Sequence, residues 1–211
     1  MKPILELKKQ AWTSLKGHRG TMGIIALIYI ALAVAVVLLS YIYIGAILQY
    51  ILMPPFILGI NICFLKLIRN QPVRPGNVTD GIGNMAKAIK LYVVNGLLVA
   101  LWTLLFIVPG VIKSYSYRLS FYILADNPAM RPAEARDDSV ILMEGNKLRL
   151  FLLDLSFIGA MILSVLTGGI LLFWVMPYMY TAYALFYESL ISKKHRYAPA
   201  QSDSENANGA N

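Results

Sequence analysis

Four polar side chains stand inside long apolar runs: Asn61, Asn95, Arg118 and Asp154. Arg118 is the sharpest of them, a guanidinium in the middle of "YSYRLSFYILADNP", Tyr115 to Pro128. A charge at the centre of a bilayer costs from about 2.5 kcal/mol upward, so such groups turn inward and find partners. Asn61 is eight residues from Arg69, Asn95 eight from Lys87, Arg118 eight from Asp126 and Asp154 seven from Lys147. At helical rise each is about 10–12 Å from its flank, so the four share one depth. This layer fits two kinds of chemistry. It can line a polar site or pathway. Alternatively, Arg118 and Asp154 can form an ion pair that fixes helix register, or the arginine can snorkel to the interface on its aliphatic stem.

A second set is basic. Lys8, Lys9 and Lys16 lie off the apolar face of "ILELKKQAWTSLKG" at 4–17, with Arg19 just after it, while Ile4, Leu7, Ala11 and Leu15 share one helical face. A basic amphipathic helix of this kind suits anionic headgroups, with Trp12 at the interface. The remaining chemistry is sparse. Cys63 is the single cysteine, so neither a disulfide within the chain nor a cysteine metal site is available. His18 and His195 are the two histidines. No zinc-protease, serine-hydrolase or P-loop pattern occurs. No enzymatic activity and no cofactor are expected.

The elements that must hold these residues are apolar blocks. Of the 211 residues 58% are hydrophobic and 14% charged, against about 45–50% and 25% for soluble domains. Net charge is +8, but the basic residues sit between apolar blocks and form no face for nucleic acid. About 20 apolar residues cross a hydrocarbon core. The expectation is an all-α polytopic membrane protein with six transmembrane helices, at about 22–44, 46–68, 86–108, 111–125, 148–167 and 169–191. The tight links "YIGA", "PG" and "TGG" pair them as three hairpins. The first block is too long, and too far from the first residue, for a signal-peptide core. "MPPF" at 53–56 and "VPGV" at 108–111 read as hairpin ends or as helix breaks around a substrate. Ser156, Ala160, Ser164 and Gly168 make a small-residue row for close helix packing.

Orientation follows from the positive charges. All 19 Lys and Arg except Lys113 and Arg118 fall in residues 1–21, 66–90, 126–149 or the tail. Positive segments stay inside, so both termini and both long loops are expected in the cytoplasm, and the protein in the plasma membrane. "PAEARDDSVILMEG" at 132–145 is framed by Pro and Gly as a second amphipathic helix. Residues 1–192 then form one membrane domain, and the polar 193–211 a disordered tail.

An internal repeat runs through these blocks. A shift of 57 aligns Phe64 with Phe121, Leu67 with Leu124, Asn70 with Asn127, Arg74 with Arg131 and Pro75 with Pro132. A shift of 59 aligns "LYVVN" at 91–95 with "LFLLD" at 150–154, and a shift of 128 aligns Gly17 with Gly145. The unit is an amphipathic cytoplasmic helix followed by a membrane hairpin, used three times. Asn61 then corresponds to Arg118, and Asn95 to Asp154.

The blocks "ELKKQAW" at 6–12, "LFIVPGVIKSYSY" at 105–117, "FYILADNP" at 121–128, "SVILMEGNK" at 139–147, "LRLFLLDLSFIG" at 148–159 and "WVMPYMYTAYALFYESL" at 174–190 together resemble a bacterial family of multi-pass membrane proteins, domain of unknown function 975. The resemblance covers about residues 4–190 and implies an integral membrane protein. Two functions are open. One is a non-catalytic protein acting through the bilayer, its anionic lipids, a protein partner or an oligomer. The other is a small transporter or permease that uses the polar layer.

Overall fold

In the computed structural model the backbone is described for residues 4–15, 19–40 and 44–208, and side chains for 4–14, 20–35 and 50–193. All regular structure among them is helical. The elements are α1 (Ile4–Leu15), α2 (Arg19–Ser40), α3 (Ile44–Ile68), a 3₁₀ helix (Pro75–Asn84), α4 (Met85–Leu105), α5 (Ile107–Ser116), α6 (Ser120–Asp126), α7 (Pro132–Leu142), α8 (Lys147–Leu155), α9 (Ile158–Leu166) and α10 (Leu172–Asn208).

Three stretches among the described residues are long and apolar enough to cross a membrane: Tyr50–Ile68, Pro75–Leu105 and Lys147–Leu166. Gly20–Ala35 is apolar but shorter. The expected sixth block is the first part of α10, whose tyrosines lower its hydropathy and whose Thr181, Ala182, Ala184 and Phe186 are fully buried. The expected fourth block is two short helices, α5 and α6, separated at Tyr117–Leu119. The fifth is α8 and α9, broken at Ser156 and Phe157. The break divides the small-residue row. Ser156 caps α8, Ser164 lies in α9, and Gly168 lies beyond it with φ +64°. The prolines of "MPPF" end nothing, since α3 continues through Pro54 and Pro55. "VPGV" does mark a break, at the extended Phe106 before α5. Of residues 193–211, expected as a disordered tail, 193–208 are backbone continuous with α10. An existing helix supplies the nucleus that polar sequence alone lacks.

Apolar side chains stay exposed in bands. Leu97, Leu101, Leu104 and Leu105 of α4, and Ile162, Val165 and Leu166 of α9, are all more than half accessible. Apolar patches of this extent are unusual on water-soluble monomers and are compatible with hydrocarbon surroundings.

The core is built on α3, which packs on α2, α4, α6, α10 and the 3₁₀ helix. That last contact is backbone on backbone. A Cβ on Gly59 would lie 1.8 Å from the Val78 carbonyl oxygen, and one on Gly81 2.0 Å from that of Pro55. The following segment repeats the arrangement with α7 packed on α6. The 3₁₀ helix and α7 start alike: the Arg74 amide donates to Asn77 Oδ1 at 2.9 Å, and the Arg131 amide to Glu134 Oε2 at 2.9 Å. The α1 helix takes the equivalent place on α10. Leu7 and Ala11 of its apolar stripe are fully buried in the core, so they face protein and leave Leu5 and Trp12 outward.

Candidate functional site

The break between α5 and α6 sets the site. A helix interrupted inside apolar surroundings leaves backbone groups that need partners. Ser139 of α7 supplies them: its hydroxyl donates to the Ser116 carbonyl at 2.7 Å and accepts from the Leu119 amide at 3.2 Å. Arg118 lies in this break.

Arg118 and Asp154 meet only through tyrosines. No direct ion pair joins them among the described residues, which corrects the expected pairing. The guanidinium carbon instead sits over the Tyr183 ring, 5.4 Å from its centroid. Tyr183 donates its hydroxyl to Asp154 Oδ1 at 2.6 Å, and Tyr115 donates to Oδ2 at 2.9 Å. Two hydroxyl donors satisfy the carboxylate without a cation in contact. Arg118 and Asp154 therefore stand in one cluster, with Tyr183 of α10 between them. The sequence reading missed both tyrosines, Tyr115 of α5 and Tyr183 of α10, because it took them as part of apolar blocks.

Asn95 of α4 joins the site from the other side, its Nδ2 donating to Ser120 Oγ at 3.1 Å. Its Oδ1 is buried without a protein partner. Asn61 is buried in α3 and lines none of the cavities described here. Asn95 and Arg118 do share one, of about 510 Å³. Its wall is Tyr50 of α3, a face of α4 from Tyr92 to Ala100 that includes Gly96 and Leu97, and Ser114, Tyr117 and Phe121 beside the break. Arg118 is accessible despite its position among the helices because this cavity opens on it. A second cavity of about 50 Å³ lies between α4 and α7, lined by Lys90, Asn95 and Arg136. Asn95 is common to both.

The basic set separates. Lys8 donates to the Ser156 carbonyl at 3.2 Å and lies 4.8 Å from the Phe157 ring centroid, so it closes the break between α8 and α9. Lys9 is exposed. Arg19 begins α2, its side chain undescribed, and Lys16 lies outside the described residues.

Two cationic groups escaped the sequence reading as site residues. Arg69, at the end of α3, bonds both oxygens of Asp126 and, at 3.0 Å, Glu188 Oε2. Tyr187 donates to Asp126 Oδ2 at 3.2 Å. Arg149 of α8 stacks 5.7 Å from the Phe186 ring centroid, its two terminal nitrogens buried without a hydrogen-bond partner. A count along one helix gives depth, but not which neighbour's carboxylate or ring stands opposite.

These features define an all-helical protein with helices apolar enough to span a membrane and a polar cluster between them. The model of the family described as Protein of unknown function (DUF975) matches residues 1–121 and 107–194, and the chain belongs to that family. No curated protein and no solved structure matches the chain.

Proposed function

We propose that the protein is a non-catalytic, multi-pass plasma-membrane protein of the permease type, whose working site is the cavity at Arg118 and Asn95. The carrying observation is that cavity: about 510 Å³, within the range of small-molecule sites, and walled by two members of the intramembrane polar layer. The smaller cavity on the far side of Asn95 supports a path, since it adds Lys90 and Arg136 in the direction of the cytoplasmic loops. Asn95 is then the constriction. In this reading six segments cross, with α5–α6 and α8–α9 each acting as one interrupted crossing and both termini inside. Helix breaks that line a cavity are tolerated in membranes for this purpose.

Thiol labelling tests the reading. Cys63 is fully buried, so a new cysteine gives the signal. Gly96→Cys in membranes should react with a membrane-impermeant thiol reagent. Protection equal to that of Cys63 would remove the water-accessible cavity and the permease with it. Reporter fusions after residues 78 and 140 should both report inside, and an outside signal at either would overturn the six-crossing topology.

A second reading keeps the protein as one that acts by contact. Leu5 is 79% exposed and Trp12 49%, beside the exposed Lys9, and this face of α1 suits anionic lipid or a protein partner. A peptide of residues 1–19 that gains helicity equally with neutral and anionic vesicles would remove the electrostatic part.

A further inference from the structure

We infer that the Arg118 cavity binds an amphiphile with one anionic head: a carboxylate or phosphate on the guanidinium, and an apolar body along α4. This rests on the cavity being the working site.

The first ground is the state of the arginine. A guanidinium among apolar helices ordinarily takes a carboxylate. Here the nearest candidate, Asp154, has one oxygen occupied by Tyr115 and the other by Tyr183. Arg118 makes no ion pair among the described residues. The Tyr183 ring and hydroxyl hold one side of the guanidinium, with Asp154 near enough to attract it, and the remaining N–H donors are the groups that arginine uses to grip carboxylate and phosphate.

The second ground is the wall. Arg118 is the one charged residue lining the cavity, and Val93, Leu97, Val99 and Ala100 supply aliphatic surface. One cation matches one anionic head and is too few for a polyphosphate. A small inorganic anion would leave the aliphatic wall without a partner. The third ground is access. Leu97 belongs to the wall and is 65% exposed, so the cavity surface runs on into the apolar outer face of α4. A membrane-dissolved ligand reaches Arg118 from that side.

Gly96 gives a clean probe. It lines the cavity, and a Cβ built there meets nothing within 4 Å. A side chain at residue 96 therefore starts in open space on the cavity wall, so Gly96→Leu puts apolar bulk into the cavity, and it removes a glycine from a helix interior. The experiment uses the full chain in nanodiscs of neutral lipid with radiolabelled oleate, competed by dodecyl phosphate, oleyl alcohol or inorganic phosphate. Oleate should bind saturably, and dodecyl phosphate should displace it. Oleyl alcohol should be weaker by about tenfold or more. Arg118→Gln should weaken oleate by about tenfold, with Arg118→Lys between the two. Gly96→Leu should abolish binding while its melting temperature holds or rises. Equal affinity for oleate and oleyl alcohol would overturn recognition of the head. Full binding by Gly96→Leu would place the ligand elsewhere. Competition by inorganic phosphate as strong as by dodecyl phosphate would overturn the amphiphile and leave an anion permease. Absence of saturable oleate binding would also overturn it, while labelling at residue 96 judges the cavity independently.

Discussion

Asp154 shows what a residue gains from its neighbours. Its carboxylate survives among apolar helices because two tyrosine hydroxyls point at it. Hydrogen bonds to a charged group are each worth about 1.5–3 kcal/mol. Tyr183→Phe removes one and keeps the ring under Arg118. It should lower the melting temperature in detergent, as should Tyr115→Phe. The double change leaves the carboxylate bare, and its loss should exceed the sum of the single losses. Strict additivity would mean that the hydroxyls do not share a charged acceptor. Asp154→Asn should cost less than the double change, because the amide oxygen still accepts. That Arg118 and Asp154 belong together was legible in the sequence, since equal counts from a flank put two side chains at similar heights along their helices. Their indirect connection was not. Tyr183 is 29 residues from Asp154 on another helix, and nothing in the spacing of an aromatic-rich run says which ring turns toward the carboxylate.

At the scale of elements the chain depends on how breaks and close approaches are closed. Ser139 bridges the α5–α6 break with one hydroxyl. Ser139→Ala would strip a buried carbonyl and a buried amide of their partner, at about 1–3 kcal/mol for each unsatisfied group. It should unfold at lower temperature, and binding at Arg118 should weaken with it. A variant as stable as the parent would show that the break finds other partners. Glycines give the contrast. Gly59→Ala and Gly81→Ala drive a methyl into backbone oxygen and should be poorly folded, whereas Gly96→Ala meets nothing and should stabilise α4 by up to about 1 kcal/mol.

The start of α7 adds a pH dependence. The Arg131 guanidinium beside Glu134, helped by the Arg131 amide, holds that carboxyl below the usual carboxylate range. Its contribution is thus complete above the ordinary Glu value of about 4.3 and is lost as pH falls through the depressed one. Glu134→Gln should remove that acid-side step. The start of this helix at Pro132 was readable from its proline and its early acids. The breaks were not, because apolar composition continues across them. A run such as "LRLFLLDLSFIG" signals burial or lipid without signalling where its hydrogen bonds stop.

The whole molecule is one packing scheme used three times. The 3₁₀ helix lies on α3, α7 on α6, and α1 on α10. The shift of 57 residues that aligned Phe64 with Phe121 also superposes Arg69 on Asp126, and these two bond each other. Glu188, near the middle of α10, completes the cluster on Arg69. The three helices are thus tied where the repeats meet, and the stacked rings of Tyr122 and Tyr187, 5.7 Å between centroids, seal the contact above them. The repeat was visible in the sequence as an alignment. Its closure was not, because α1 and α10 stand at opposite ends of the chain and only folding brings them together. Arg69 therefore belongs to the assembly of the bundle rather than to its surface. Arg69→Gln leaves two facing carboxylates without their shared cation and should cost more than Asp126→Asn or Glu188→Gln, each of which still leaves the arginine one anion. Two charged hydrogen-bond partners lost together amount to about 3–6 kcal/mol before solvent screening reduces the figure at these partly exposed groups. Replacing all three by Gln, Asn and Gln should recover part of the loss, since neutral amides no longer repel. Thermal unfolding of the four variants in one detergent decides it. If Arg69→Gln melts within a degree or so of the parent, the triad is surface decoration, and the three helices are held by their apolar faces alone.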